Sequence, residues 1–172
     1  MRGDFVNPTG TMFRIQTLTG RDISQFSIYG AEREVILLPF TSFVTDRIEA
    51  RRDYEKVWLT EIESPSSTDK NVLLWVDDEP RDNMDLLRQL EERRGSQMEI
   101  LRVTSTRAAE AWMREFAWLF SRTNREIKVV TDMSRLEDTE RNEINQVAGL
   151  SLIRLLQWCG YSTKVLIYCY EL

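Results

Sequence analysis

After residue 70 the sequence alternates between short apolar runs and amphipathic stretches, and that alternation admits few folds. NVLLWV (71–76) is an apolar run that ends in acids. PRDNMDLLRQLEERRG (80–95) carries Met84, Leu87 and Leu90 at helical spacing, with Pro80 near its start and Gly95 as a stop. MEILRV (98–103) has the length of a strand. STRAAEAWMREFAWLF (105–120) offers Ser105 or Thr106 as an N-cap and places Ala108, Trp112, Phe116 and Leu119 on one face. REIKVVTD (125–132) predicts a strand, NEINQVAGLSLIRLLQWCG (142–160) a helix closed by Gly160, and STKVLIYC (162–169) a last strand. Alternation of this kind predicts an α/β domain on a parallel sheet. At these spacings Trp75, Trp112, Phe116, Trp118 and Trp158 read as core.

The residues before position 64 have a different pattern. TMFRIQTL (11–18) is rich in strand formers and runs into the turn signal TGRD. EVILLPF (34–40) is a near-continuous apolar run, which predicts a buried strand. TSFVTDRI (41–48) and YEKVWLTEI (54–62) alternate with period two. Val57, Leu59 and Glu61 then share one face, and Trp58 and Ile62 the other. Only DISQF suggests a short helical turn. SPSSTDK (64–70) has no apolar residue and predicts a linker. The expected partition is therefore 1–63, a linker at 64–70, and 71–172.

Composition narrows the chemistry. Among 172 residues there is no histidine, which excludes a Ser-His-Asp triad and any imidazole-ligated zinc site. A formal net charge of -5 argues against a dedicated nucleic-acid binder. No stretch reaches the roughly 18 apolar residues of a membrane helix. Cys159 and Cys169 form no CxxC, and MRGDFVNPTG has no apolar signal region. Two buried thiols in the cytoplasm are the expectation.

Acids punctuate the strands of the second half. Asp77, Asp78 and Glu79 follow the first, and Asp132 ends the third. In an open parallel sheet these positions gather at the carboxyl edge. Carboxylates meeting there repel one another unless a cation lies among them, and Mg²⁺, a hard ion, suits oxygen ligands. Such an ion would also shield charge on an incoming phosphoryl group. In the first half, Glu32-Arg33-Glu34 opens the run at Val35. Two carboxylates on one face at a strand mouth suit oxocarbenium chemistry. One stabilises developing positive charge, while the other orients or deprotonates a nucleophile.

Gly10, Phe13 and Ile15, then GRDIS (20–24), FS (26–27), EREVILLP (32–39) and TSF (41–43), stand in an order that resembles the C-terminal half of arginine-specific mono-ADP-ribosyltransferases. The resemblance implies that Glu34 contacts the nicotinamide ribose of NAD and that Glu32 accepts or orients the target guanidinium. The implied partner is a protein with an exposed arginine. The family also needs an upstream arginine on the NAD phosphates and an upstream Ser-Thr-Ser strand. Ser105-Thr106 comes after the Glu-x-Glu, in the wrong order. The chain is expected to be a fragment of a longer transferase, inactive alone.

VLLWVDDEP (72–80), VVTDMSR (129–135) and GLSLIRLLQWCGYSTKVLIYCY (149–170) resemble the receiver domain of response regulators. That resemblance implies that Asp77 and Asp78, with Asp132, hold Mg²⁺ and that Asp132 is the phosphoacceptor. Cys169 or Tyr170 stands where a switch Ser or Thr belongs, and the last strand and helix would be missing. A signalling or interaction module is expected more than a phosphorelay. The combined expectation is α/β and α+β: an N-terminal antiparallel β half of an ADP-ribosyltransferase fold, then a doubly wound parallel-sheet receiver-like domain. A third reading is a non-catalytic α/β interaction domain beside a decayed transferase remnant.

Overall fold

A computed structural model describes residues 10–66, 70–80, 82–94, 97–121, 125–138 and 143–169. The chain divides into two compact units, Met1–Ile62 and Glu63–Leu172.

In the first unit β1 (Thr11–Gln16), β4 (Ser42–Ala50) and β5 (Glu55–Ile62) form one sheet in the order β1-β5-β4. β4 and β5 make an antiparallel hairpin running from Ser42↔Ile62 to Ala50↔Glu55, with a register shift between Thr45 and Arg47. β1 runs parallel to β5, Thr11 opposite Glu55 and Gln16 opposite Thr60. The expected antiparallel half is therefore a mixed sheet. On β5, Trp58, Thr60 and Ile62 are buried on alternate positions, and Glu61 between the last two is buried as well. The guanidinium of Arg47 lies 3.9 Å from the centre of the Trp58 ring.

The apolar run at 34–40 does not form the buried strand its composition predicts. Only Val35–Ile36 is strand (β3), paired with Arg21–Asp22 (β2). Val35 is 52% exposed and Phe40 fully so. The ladder ends because the chain turns. Pro39 has no N–H to donate, and the amide and hydroxyl of Thr41 both donate to the carbonyl of Leu38. Phe40 takes a left-handed backbone at φ 66°.

The second unit holds β6 (Asn71–Val76), α1 (Met84–Arg94), β7 (Met98–Val103), α2 (Thr106–Ser121), β8 (Ile127–Asp132), β9 (Arg135–Asp138), β10 (Glu143–Asn145), α3 (Ala148–Trp158) and β11 (Lys164–Tyr168). β7, β6, β8 and β11 lie side by side in that order, and every pair is parallel. The chain steps from β6 to β7 on one side and then returns to β8 on the other. The winding direction thus reverses between β6 and β8. Leu73, Trp75, Ile100 and Val130 pack with Leu87 of α1 in one core cluster. Val72, Leu74 and Val76 alternate with them and are also buried, as are Ala108, Ala109, Trp112 and Met113 of α2. A sheet buried on both faces explains why its strands read as unbroken apolar runs.

Local chemistry sets the element ends. The Ser105 hydroxyl accepts the Ala108 amide at 3.0 Å and so caps α2. That fits the cap position read from the sequence. Gly149, the second residue of α3, lies against the end of β8, where a Cβ would lie 2.7 Å from the carbonyl oxygen of Asp132.

Three expectations need correcting. The helix predicted over 142–160 begins at Ala148, because its first residues form β10, the second strand of a hairpin with β9. Trp158 is 89% exposed and Trp118 is also exposed, so neither is core. Both cysteines are exposed rather than buried: Cys159 caps α3 and Cys169 follows β11. No helix of the described residues is long and apolar enough to cross a membrane.

Candidate active-site turn and acid cluster

In the first unit the two motif segments GRDIS and EREV meet. Arg21 pairs with Ile36 and Asp22 with Val35, and the Ile23 amide donates to the Glu34 carbonyl at 2.9 Å. Residues 24–33 are the tip of this hairpin, with 3₁₀ turns at Ser24–Phe26 and Gly30–Glu32. Asp22 shapes the first turn by accepting both the amide and the hydroxyl of Ser24, and those bonds hold its carboxyl below the usual range. Glu32 ends the second turn, Arg33 is left-handed at φ 51°, and Glu34 leads into β3. The shared strand face expected for Glu32 and Glu34 is therefore not formed, since a left-handed residue separates them. Non-glycine residues in that region are strained and cluster at functional turns. Glu32 is exposed and Glu34 half-buried. Neither side chain takes a hydrogen bond or ion pair among the described residues.

Glu61 of β5 anchors the turn that leads from β1 into this hairpin. Its carboxylate is 3% exposed and accepts four hydrogen bonds from the turn after β1. Oε2 takes the Thr17 hydroxyl at 2.5 Å, the Leu18 amide at 2.6 Å and the Thr19 amide at 3.0 Å. Oε1 takes the Thr19 hydroxyl at 2.6 Å. Burial alone would raise its pKa, but these donors outweigh burial and lower it. The Thr17 hydroxyl then accepts the Gly20 amide at 2.8 Å. A Cβ on Gly20 would lie 2.7 Å from Thr17 Cγ2, so only glycine fits where the chain enters β2. Sequence reading gave Glu61 no role beyond its strand face.

In the second unit Asp77, Asp78 and Asp132 do meet at the winding reversal, with one carboxylate oxygen from each within 4.8 Å of the others. They are not equivalent. Asp77 is buried, and its Oδ2 accepts the Tyr168 hydroxyl at 2.6 Å, the Asn83 side-chain amide at 2.6 Å and the Trp75 indole at 3.2 Å. Its Oδ1 accepts the Glu79 amide at 2.9 Å. Asp78 accepts the Leu136 amide at 3.1 Å. Burial raises the Asp78 pKa against that bond, and the neighbouring Asp77 charge adds to the rise. Asp132 is pushed up to about 7. Burial is the main cause, Arg135 pulls the other way, and Asp77 and Asp78 add to the rise.

Arg135 was not singled out in the sequence. It is 1% exposed and reaches into the cluster from β9. Its Nη1 donates to Asp132 Oδ1 at 2.7 Å, to the Thr131 hydroxyl at 2.6 Å and to the Val76 carbonyl at 3.2 Å. Its Nη2 donates to the Thr106 hydroxyl at 2.7 Å and faces Glu137 at 3.4 Å. Glu137 in turn accepts the amide and hydroxyl of Thr106 at the start of α2.

The family model for NAD:arginine ADP-ribosyltransferase matches residues 5–67. That stretch holds Glu32, Glu34 and Glu61, and its similarity is to enzymes of NAD-dependent ADP-ribosyl transfer. The match ends at Ser67, so Asp77, Asp78, Asp132 and Arg135 lie outside it. No curated protein and no solved structure matches the chain.

Proposed function

We propose that the first unit carries the glutamate turn of a transferase that moves ADP-ribose from NAD to the guanidinium of a protein arginine. The observation that carries this reading is the pairing of GRDIS against the strand entered by Glu34. It sets Glu32 in the hairpin tip and Glu34 where the tip enters β3, with neither carboxylate engaged among the described residues. In the proposed reaction the bond between ribose C1′ and the nicotinamide nitrogen breaks, and nicotinamide leaves as a neutral ring. Glu34 stabilises the positive charge that develops on the ribose. Glu32 accepts a hydrogen bond from the incoming guanidinium and takes up the proton released as its nitrogen bonds to C1′. The upstream arginine and Ser-Thr-Ser strand that the resemblance requires are not among the matched motifs. The transfer is therefore proposed for a polypeptide in which they accompany this segment.

The roles separate experimentally in such a polypeptide. Glu32→Gln is expected to keep NAD cleavage to nicotinamide while losing transfer to a small guanidino compound. Parallel assays of nicotinamide release and acceptor labelling check this. Equal loss of both would remove the distinction between the two glutamates.

For the second unit we infer a receiver-like signalling or interaction module in a cytoplasmic protein. Its support is the reversal of winding between β6 and β8, with three acids at the carboxyl ends of those strands.

A further inference from the structure

We propose that Arg135 is the resident cation of the Asp77–Asp78–Asp132 cluster, delivered by the β9–β10 hairpin, so that the second unit keeps this site closed to Mg²⁺ and to phosphoryl transfer. The inference concerns the cluster alone and stands whether or not the unit is receiver-like.

The three carboxylates converge closely enough to hold a hard cation, yet each already accepts at least one hydrogen bond, and Asp77 accepts four. Asp77 Oδ2 accepts three hydrogen bonds and its Oδ1 a fourth. Mg²⁺ demands near-octahedral oxygens at about 2.0–2.1 Å and keeps several waters. A carboxylate locked by four donors, one of them a tyrosine hydroxyl, cannot turn an oxygen toward such a shell without losing them. Asp132 is engaged through Oδ1 by a guanidinium that does not lose its proton in proteins.

That guanidinium is not a passing surface partner. It is 1% exposed and bonds to groups from four elements and loops: the ends of β6 and β8, the start of α2 and the hairpin itself. The hairpin is pinned at two further points, by the Leu136 amide on Asp78 and by Glu137 on the first amide of α2. A divalent ion entering the cluster would face a fixed positive charge against the carboxylate it must share. A phosphoryl donor would find Asp132 8% exposed, with one oxygen already paired.

The test is Mg²⁺ binding to the full chain by calorimetry, for the wild type, Arg135→Gln, Arg135→Lys and Asp78→Ala, each first checked for folding by circular dichroism. Wild type and Arg135→Lys are expected to bind no Mg²⁺ at about 10 mM, because both keep the cation, whereas Arg135→Gln gains at least about tenfold in affinity. Wild-type binding that disappears in Asp78→Ala would overturn the proposal. So would a folded Arg135→Gln that binds no better than wild type. Should Arg135→Gln fail to fold, the wild type still decides the matter through nitrogen NMR of its guanidinium. Slow hydrogen exchange at neutral pH, unchanged by Mg²⁺, supports a resident cation, and fast exchange or a Mg²⁺-dependent shift overturns it.

Discussion

Two buried acids in this chain respond to pH in opposite senses. The Glu61 carboxyl is held below the usual carboxylate range, against its burial, by the Thr17, Thr19 and Leu18 donors. Its contribution to the first unit is fully present above the usual carboxylate range and is lost as pH falls through the lowered pKa. Asp132 is raised from 3.8 to about 7. Between those values the folded state keeps a proton that the unfolded chain has released, so stability falls as pH rises through the window and levels off above it. We expect Asp132→Asn to remove that slope, as checked by urea unfolding of the second unit at about pH 5 and about pH 8. Glu61→Gln should cost the first unit on the order of 2 kcal/mol, because charge-assisted bonds to buried donors weaken together. Trp58, the tryptophan of residues 1–62, reports that loss by fluorescence during denaturation.

At the scale of elements, the parallel sheet was readable because its strands are buried on both faces and its helices carry caps and stripes. Ser105 is the simplest case. It was legible as a cap, its hydroxyl meets the Ala108 amide, and Ser105→Ala should cost about 1 kcal/mol of second-unit stability in thermal or urea unfolding. The β9–β10 hairpin was not legible. Its strands, RLED and EIN, have no apolar alternation and no Asn-Gly or Asp-Gly turn, so the segment carried no strand signal and its end read as a helix start. What makes it a hairpin is tertiary: Arg135 reaching into the cluster, Leu136 bonding to Asp78 and Glu137 capping α2. Strand-end logic brought Asp77, Asp78 and Asp132 together in advance. Asn83 and Arg135 lie only six and three residues from Asp77 and Asp132, whereas Tyr168 is 91 residues from Asp77 and depends on which elements pack near one another, which spacing along the chain does not encode. The same holds for Glu61, more than forty residues from the turn that it anchors.

Over the whole molecule, each unit offers its own chemistry. The second unit encloses its acids and balances them internally with Arg135. The first leaves Glu32 at a strained, exposed tip and Glu34 half-buried where the chain leaves it, close in sequence to the exposed Phe26, Ile28 and Phe40. It is the stretch similar to NAD:arginine ADP-ribosyltransferases. The role proposed for Glu34 is to stabilise charge on the nicotinamide ribose. The most direct measurement is nicotinamide release from NAD by a chimaera that joins the upstream half of a complete arginine-specific transferase ahead of Gly10, with and without Glu34→Gln. The account predicts release that falls on the order of 10²-fold or more in the variant, the scale of losing a main electrostatic contact to a transition state. Equal release with and without Glu34, or none from a folded chimaera, would contradict it.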